Sequence, residues 1–174
     1  LKMRMSLFIL VSVALGYYYG RTSASKPELL LWALLGSALM AFSCFTINQV
    51  IEKDLDKKMP RTENRPLPTG KVSPKEAWLL GIGFFVLGFY VLGAHVNSLV
   101  AFLGVSIVLS YCFLYTPWKQ RSSINTLVGA LPGAIPPLIG WATAQNSLGK
   151  GAFILFVILY FWQLPHFLAI AWLY

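Results

Sequence analysis

Apolar runs recur along this 174-residue chain, and short polar breaks separate them. Spans are expected near 5–20, 28–51, 75–94, 97–116, 124–143 and 151–173. Each holds about 16–24 residues, enough for a helix to cross the ~30 Å hydrocarbon core of a bilayer with some tilt. Within lipid a helix satisfies every backbone N–H and C=O inside its own segment, and the alternation of a lipid-facing barrel strand is absent. The expectation is an all-α polytopic transmembrane helical bundle, a single domain over 1–174 with about six spans. Composition agrees, since 57% of residues are hydrophobic and 11% charged, against ~25% charged in soluble domains.

The formal charge of +8 does not argue for nucleic acid, which would need a basic face on a soluble body. Here the cations sit between apolar runs, where they anchor a chain against an anionic bilayer surface. When the spans are threaded alternately, all 14 Lys and Arg residues except Arg21, Lys26 and Lys150 fall on one side. The positive-inside rule turns that side to the cytoplasm of a bacterial inner membrane, or to the matrix of a mitochondrion. Cys44 and Cys112 lie inside apolar runs, have no metal-ligand spacing and read as small hydrophobes. The first run ends in Gly16-Tyr-Tyr-Tyr-Gly20 without an A-x-A-like site, so no cleavable signal peptide is expected.

One break is more than a connector. The inner segment 52–74 carries Pro60, Pro66, Pro68, Gly70 and Pro74, which exclude a continuous helix. At its start, three of the chain's six acidic residues, Glu52, Asp54 and Asp56, fall within five positions. Asn48, Glu52 and Asp56 are spaced i, i+4, i+8, which stacks an amide and two carboxylates on one helix face at the membrane rim. Asp54 points to nearly the opposite side unless the helix unwinds there. Two carboxylates at a low-dielectric rim repel each other, and a divalent cation removes that penalty. Oxygen ligands suit Mg²⁺, which keeps waters and shares carboxylates with phosphates. Lys53, Lys57, Lys58, Arg61 and Arg65 follow, and Arg binds phosphate oxygens in bidentate fashion. On spacing alone, a solvated loop whose carboxylates pair with these lysines stands equally well. Lys119 and Arg121, closing the fourth span on the same face, favour a diphosphate site with metal.

Two further features lie within spans. Gly129-Ala-Leu-Pro132-Gly133-Ala-Ile-Pro136-Pro137 reads as a kinked helix packed closely through small residues, or as a substrate lining; the two are compatible. His166 is ionisable at membrane depth, and such residues are functional candidates by default. The alternative is a neutral imidazole bonded to Gln163 or a backbone carbonyl. His95, in an outer loop, reads as solvated.

Asn48-x-x-x-Glu52-x-x-x-Asp56, followed by Lys58-Met59-x-Arg61-Thr62-x-Asn64-Arg65-Pro66-Leu67, resembles the first aspartate-rich motif of the UbiA-type intramembrane prenyltransferases. Tyr115-Thr-Pro-Trp-Lys-Gln-Arg121, Asn125 through Trp141, and Trp162-Gln-Leu-Pro-His-Phe167 resemble the branch that farnesylates protoheme IX, the haem O synthases. Glu52 stands where that family more often has Asp, and Lys119-Gln120-Arg121 is one charge short of the usual K-R-R. The resemblance implies about nine helices and a second acidic motif beyond Tyr174, so this chain matches the N-terminal two-thirds and is expected to be inactive alone. It also implies Mg²⁺-dependent transfer of farnesyl from farnesyl diphosphate to a vinyl group of haem b, giving haem O for haem A biosynthesis. Asn48, Glu52 and Asp56 would be catalytic and, with Asp54 as the weaker candidate, metal-ligating. Arg61, Arg65, Lys119 and Arg121 would clamp diphosphate, and His166 would face haem. The implied partners are the bilayer and, as candidates, haem A synthase or oxidase assembly factors.

The rival within the superfamily is a prenyltransferase with an aromatic acceptor: 4-hydroxybenzoate, a naphthoate or chlorophyllide. The rival outside it is a transporter or channel, but those place binding carboxylates near the bilayer midplane, not at an edge.

Overall fold

The structure is a computed structural model that describes residues 3–118 and 125–173. Among the described residues all regular structure is helical. Helix α1 spans Met3–Gly20, α2 Pro27–Ile51, α3 Lys53–Asp56, α4 Pro74–His95 and α5 Ser98–Leu109. A π-helical turn, Ser110–Tyr115, continues α5 and leads into the single turn α6, Thr116–Trp118. Then follow α7 (Asn125–Ala134), α8 (Pro136–Gln145) and α9 (Lys150–Leu173). These elements coincide with the apolar runs to within a few residues. Among the described residues four segments are long and apolar enough to cross a membrane: Pro27–Ile51, Pro74–His95, Ser98–Tyr115 and Asn125–Gln145. The first helix contributes a shorter apolar stretch, Met5–Gly20.

Polar residues punctuate the ends. Pro27 and Pro74 enter their helices in the first turn, where a missing N–H costs nothing. Ser73 and Glu76 form a reciprocal capping box that starts α4, and the Asn97 side chain caps α5. Helix α8 ends on Asn146 in the left-handed region, φ 55°. In the inner loop Gly70 turns the chain at φ +75°, a conformation glycine adopts without strain.

Packing rests on close backbone approach. Lipid tails are as apolar as leucine, so helices in a bilayer associate by van der Waals contact and interhelical hydrogen bonds. Helices α2 and α4 run antiparallel, with Gly81 against Ile47, Gly88 against Leu39 and Met40, and Gly36 against Leu92. The Ser43 hydroxyl donates across this seam to the Gly81 carbonyl at 2.8 Å. Helices α1 and α8 run parallel and closer still. A Cβ on Gly16 would collide with the Pro137 carbonyl, and one on Gly140 with the Val13 carbonyl. At their C-terminal ends Gln145 Nε2 donates to the Gly20 carbonyl at 2.8 Å. Met40, Leu92, Val100, Ile139, Val13 and Cys112 fill the centre. Phe8, Leu79, Phe102 and Phe153 are each more than half exposed, as lipid-facing side chains must be.

The Gly/Pro run resolves into a break. Pro132 sits within α7, and the helix interrupts at Ile135 before Pro136 and Pro137 start α8. Gly129 seats the Tyr115 ring and Gly133 the Gln163 amide. The run thus packs closely on its neighbours through small residues.

Candidate active site

The charged column forms where α2 ends. Glu52 leaves helical geometry at φ −92°, ψ 7°, and α3 resumes one residue later. The hydrogen-bond ladder nevertheless crosses the break: Glu52 N–H donates to the Asn48 carbonyl at 2.9 Å, and Asp56 N–H to the Glu52 carbonyl at 2.8 Å. The i, i+4, i+8 register survives, and all three side chains turn inward. Asn48 is 1% exposed, Glu52 8% and Asp56 4%. Asp54 is exposed on the other side of α3, so the structure does not bring it to the group. The change of direction at Glu52 is too small to swing it inward.

The inner loop folds back over this column. Arg65 Nη1 donates to Asp56 Oδ2 at 2.6 Å, a charge-assisted bond with Arg65 22% and Asp56 5% side-chain exposed. The Thr62 hydroxyl donates to the Asp56 carbonyl at 3.0 Å, and both Thr62 and Leu67 are buried beneath the loop. A carboxylate buried this deeply needs such a partner, because an isolated buried charge is strongly penalised. Arg61 is exposed, as are Lys57 and Lys58. Lys119 and Arg121 lie outside the described residues.

Asn48 has one satisfied end and one open one. Its Nδ2 donates to Thr116 Oγ1 at 3.2 Å, whereas Oδ1 is buried with no hydrogen-bond partner among the described residues. Thr116, 1% exposed, was not legible as a site residue. Its only signal was a small hydroxyl residue ahead of Pro117 at the end of a span. Tyr111 and Tyr115 lie within electrostatic range of Glu52 and wall this side of the group.

His166 is exposed on α9 and stacks on Trp162, with centroids 5.3 Å apart and planes 12° from parallel. Helix α9 packs on α7, α8 and α1.

The donor set suits a hard cation. Among the described residues no three His, Cys, Asp or Glu side chains converge. The column instead offers one unpaired amide oxygen and two buried carboxylates. That mixed oxygen set fits Mg²⁺, which completes its octahedron with water and phosphate oxygens.

A family model described as the UbiA prenyltransferase family matches residues 9–174. The chain belongs to that family. It is an integral membrane protein accordingly. Curated UbiA relatives include protoheme IX farnesyltransferases from Solibacter usitatus, 41% identical over 99% of this chain and 62% of theirs, and from Bacillus licheniformis, 42% identical over 90% and 51%. The chain thus spans between half and two-thirds of the length of these relatives. Solved structures share the fold. A UbiA homolog from Aeropyrum pernix K1 superposes with TM-score 0.78 at 18% identity, covering 94% of this chain and 62% of that one. A UbiA homolog from Archaeoglobus fulgidus, bound to DMAPP and Mg²⁺, gives 0.73 at 20%, covering 94% and 60%.

Proposed function

We propose that this chain carries one half of the metal–diphosphate site of a protoheme IX farnesyltransferase, a Mg²⁺-dependent enzyme that transfers farnesyl to a vinyl group of haem b. The observation that carries this reading is the buried Asn48–Glu52–Asp56 column with Arg65 seated on it. Relatives at ~40% identity carry that name, and structural neighbours hold DMAPP or GPP with Mg²⁺.

In this reading Asn48 Oδ1, Glu52 and Asp56 hold the cation, and Asp54 takes no part. Mg²⁺ bound there supplies positive charge to the departing diphosphate. Arg65, held on Asp56, would turn its remaining guanidinium donors to diphosphate oxygens. Arg61, Lys119 and Arg121 add long-range positive charge around the leaving group. The C–O bond to the allylic carbon breaks with its electron pair going to diphosphate, and the farnesyl carbon bonds to the haem vinyl group. The vinyl π pair forms that bond, and water adds to the cation left on the other vinyl carbon and loses a proton to solvent, completing the hydroxyethylfarnesyl substituent. The apolar walls of the bundle keep bulk water from the allylic cation before capture. Trp162 and His166 present a flat aromatic pair that we place on the acceptor side. The acidic column faces the cytoplasm of a bacterial inner membrane, or the matrix of a mitochondrion.

Full-length protein supplied with Mg²⁺, farnesyl diphosphate and haem b is expected to yield haem O by mass spectrometry. Product with 4-hydroxybenzoate but none with haem would replace the acceptor assignment. Unchanged turnover in both Glu52→Gln and Asp56→Asn would remove the metal–diphosphate reading itself.

A further inference from the structure

We infer that Thr116 is a positioning residue that fixes which way the Asn48 amide faces, and that the π-helical turn before it exists to put its hydroxyl there; this rests on the metal-site reading above. Serine and threonine hydroxyls in helices ordinarily bond the carbonyl three or four residues back. Thr116 reaches five back instead, its Oγ1 donating to the Tyr111 carbonyl at 2.8 Å while its own N–H bonds the same oxygen. That i−5 pattern is the signature of a π turn, a rare feature concentrated at functional sites. Pro117 gives it a local cause, since its ring crowds the carbonyl four residues back and it has no N–H to offer.

The consequence follows from counting protons. A hydroxyl has one hydrogen to give, and Thr116 gives it to Tyr111. Toward Asn48 it can therefore only accept, so the amide must present its Nδ2 to Thr116. A flipped amide would set two oxygens lone pair to lone pair inside a buried contact. Asn48 Oδ1 is thereby held away from Thr116, buried and without a partner among the described residues. The register is locked one turn away, where the Cys112 thiol reaches the Cys44 carbonyl at 3.7 Å across the same 68-residue separation. Without that acceptor the amide can turn its nitrogen, which cannot ligate a cation, toward the site.

Mn²⁺ binding in the presence of inorganic diphosphate, read by electron paramagnetic resonance on full-length protein in detergent, tests this without turnover. Thr116→Val is expected to weaken Mn²⁺ about tenfold, in the range that partners of metal ligands command, while Thr116→Ser stays within about threefold of wild type. Asn48→Ala is expected to weaken it comparably, and adding Thr116→Val to Asn48→Ala to change nothing more. Where Thr116→Val does not purify folded, Thr116→Cys replaces it, because a thiol is a poor donor and acceptor. Wild-type Mn²⁺ affinity in Thr116→Val, or an equal loss with and without Asn48, would overturn the inference and leave the metal site standing. Wild-type affinity in Asn48→Ala, Glu52→Gln and Asp56→Asn alike would remove the metal site, and the inference with it.

Discussion

The Arg65–Asp56 pair decides how the rim holds together. Truncating Arg65 leaves a carboxylate 4% exposed with no cation beside it, so Arg65→Met should lower stability by about 1–3 kcal/mol. Much of that loss is the stranded charge rather than the lost bond. Asp56→Asn in the same background should therefore recover part of it, measured as the melting temperature of the detergent-solubilised protein. If the double variant melts below Arg65→Met, the pair is not what holds the loop. Why Arg65 rather than Arg61 turns inward could not be read from the sequence. Both lie in an irregular loop, where no periodicity assigns a face. Asp54 was the opposite case, since 100° per residue set it away from Asn48, Glu52 and Asp56, and the structure leaves it exposed.

Helix by helix, small residues carry the information that hydropathy does not. Gly140 lies against the Val13 carbonyl, a backbone atom that cannot yield. Gly140→Val should prise α1 from α8 and sharply reduce the yield of folded protein, seen as a shifted or lost monodisperse peak on size exclusion. Gly83 is the internal control, for a Cβ there meets nothing within 4 Å. Gly83→Ala should leave folding intact and raise stability by up to ~1 kcal/mol through helix propensity. Ser43→Ala, which removes the bond to the Gly81 carbonyl, should cost about 0.6 kcal/mol, the average for interhelical hydrogen bonds in membranes. The helices themselves were legible because continuous apolar length is a strong signal in lipid. The Asn48–Thr116 bond was not, because it depends on two parallel helices meeting in register 68 residues apart. The π turn that sets this register has no periodic signature.

At the scale of the whole molecule, the charge asymmetry of the sequence predicts a topology that can be checked directly. Both native cysteines are buried, so the unmodified chain should resist membrane-impermeant maleimides and give a clean background. Lys58→Cys should label only from the inner side and Asn146→Cys only from the outer side. Labelling of both from one side would reverse the threading and move the acidic column to the opposite face. Overall architecture was legible because hydrophobic length marks the helices in the sequence. The site was only partly legible, since the residues contributed by a distant helix and a folded-back loop are specified by packing.

The break at Ile135 divides the fifth apolar segment between two allegiances. Helix α8 is bound to α1 through glycine contacts, while α7 answers to α9 and to the π turn, through Gly133 on Gln163 and Gly129 on Tyr115. What is one stretch in the sequence is thus two helices that pack mainly on different neighbours. Damage in α8 should spread to the first helix, whereas damage in α7 should reach the aromatic pair on α9 and the tyrosines beside Glu52.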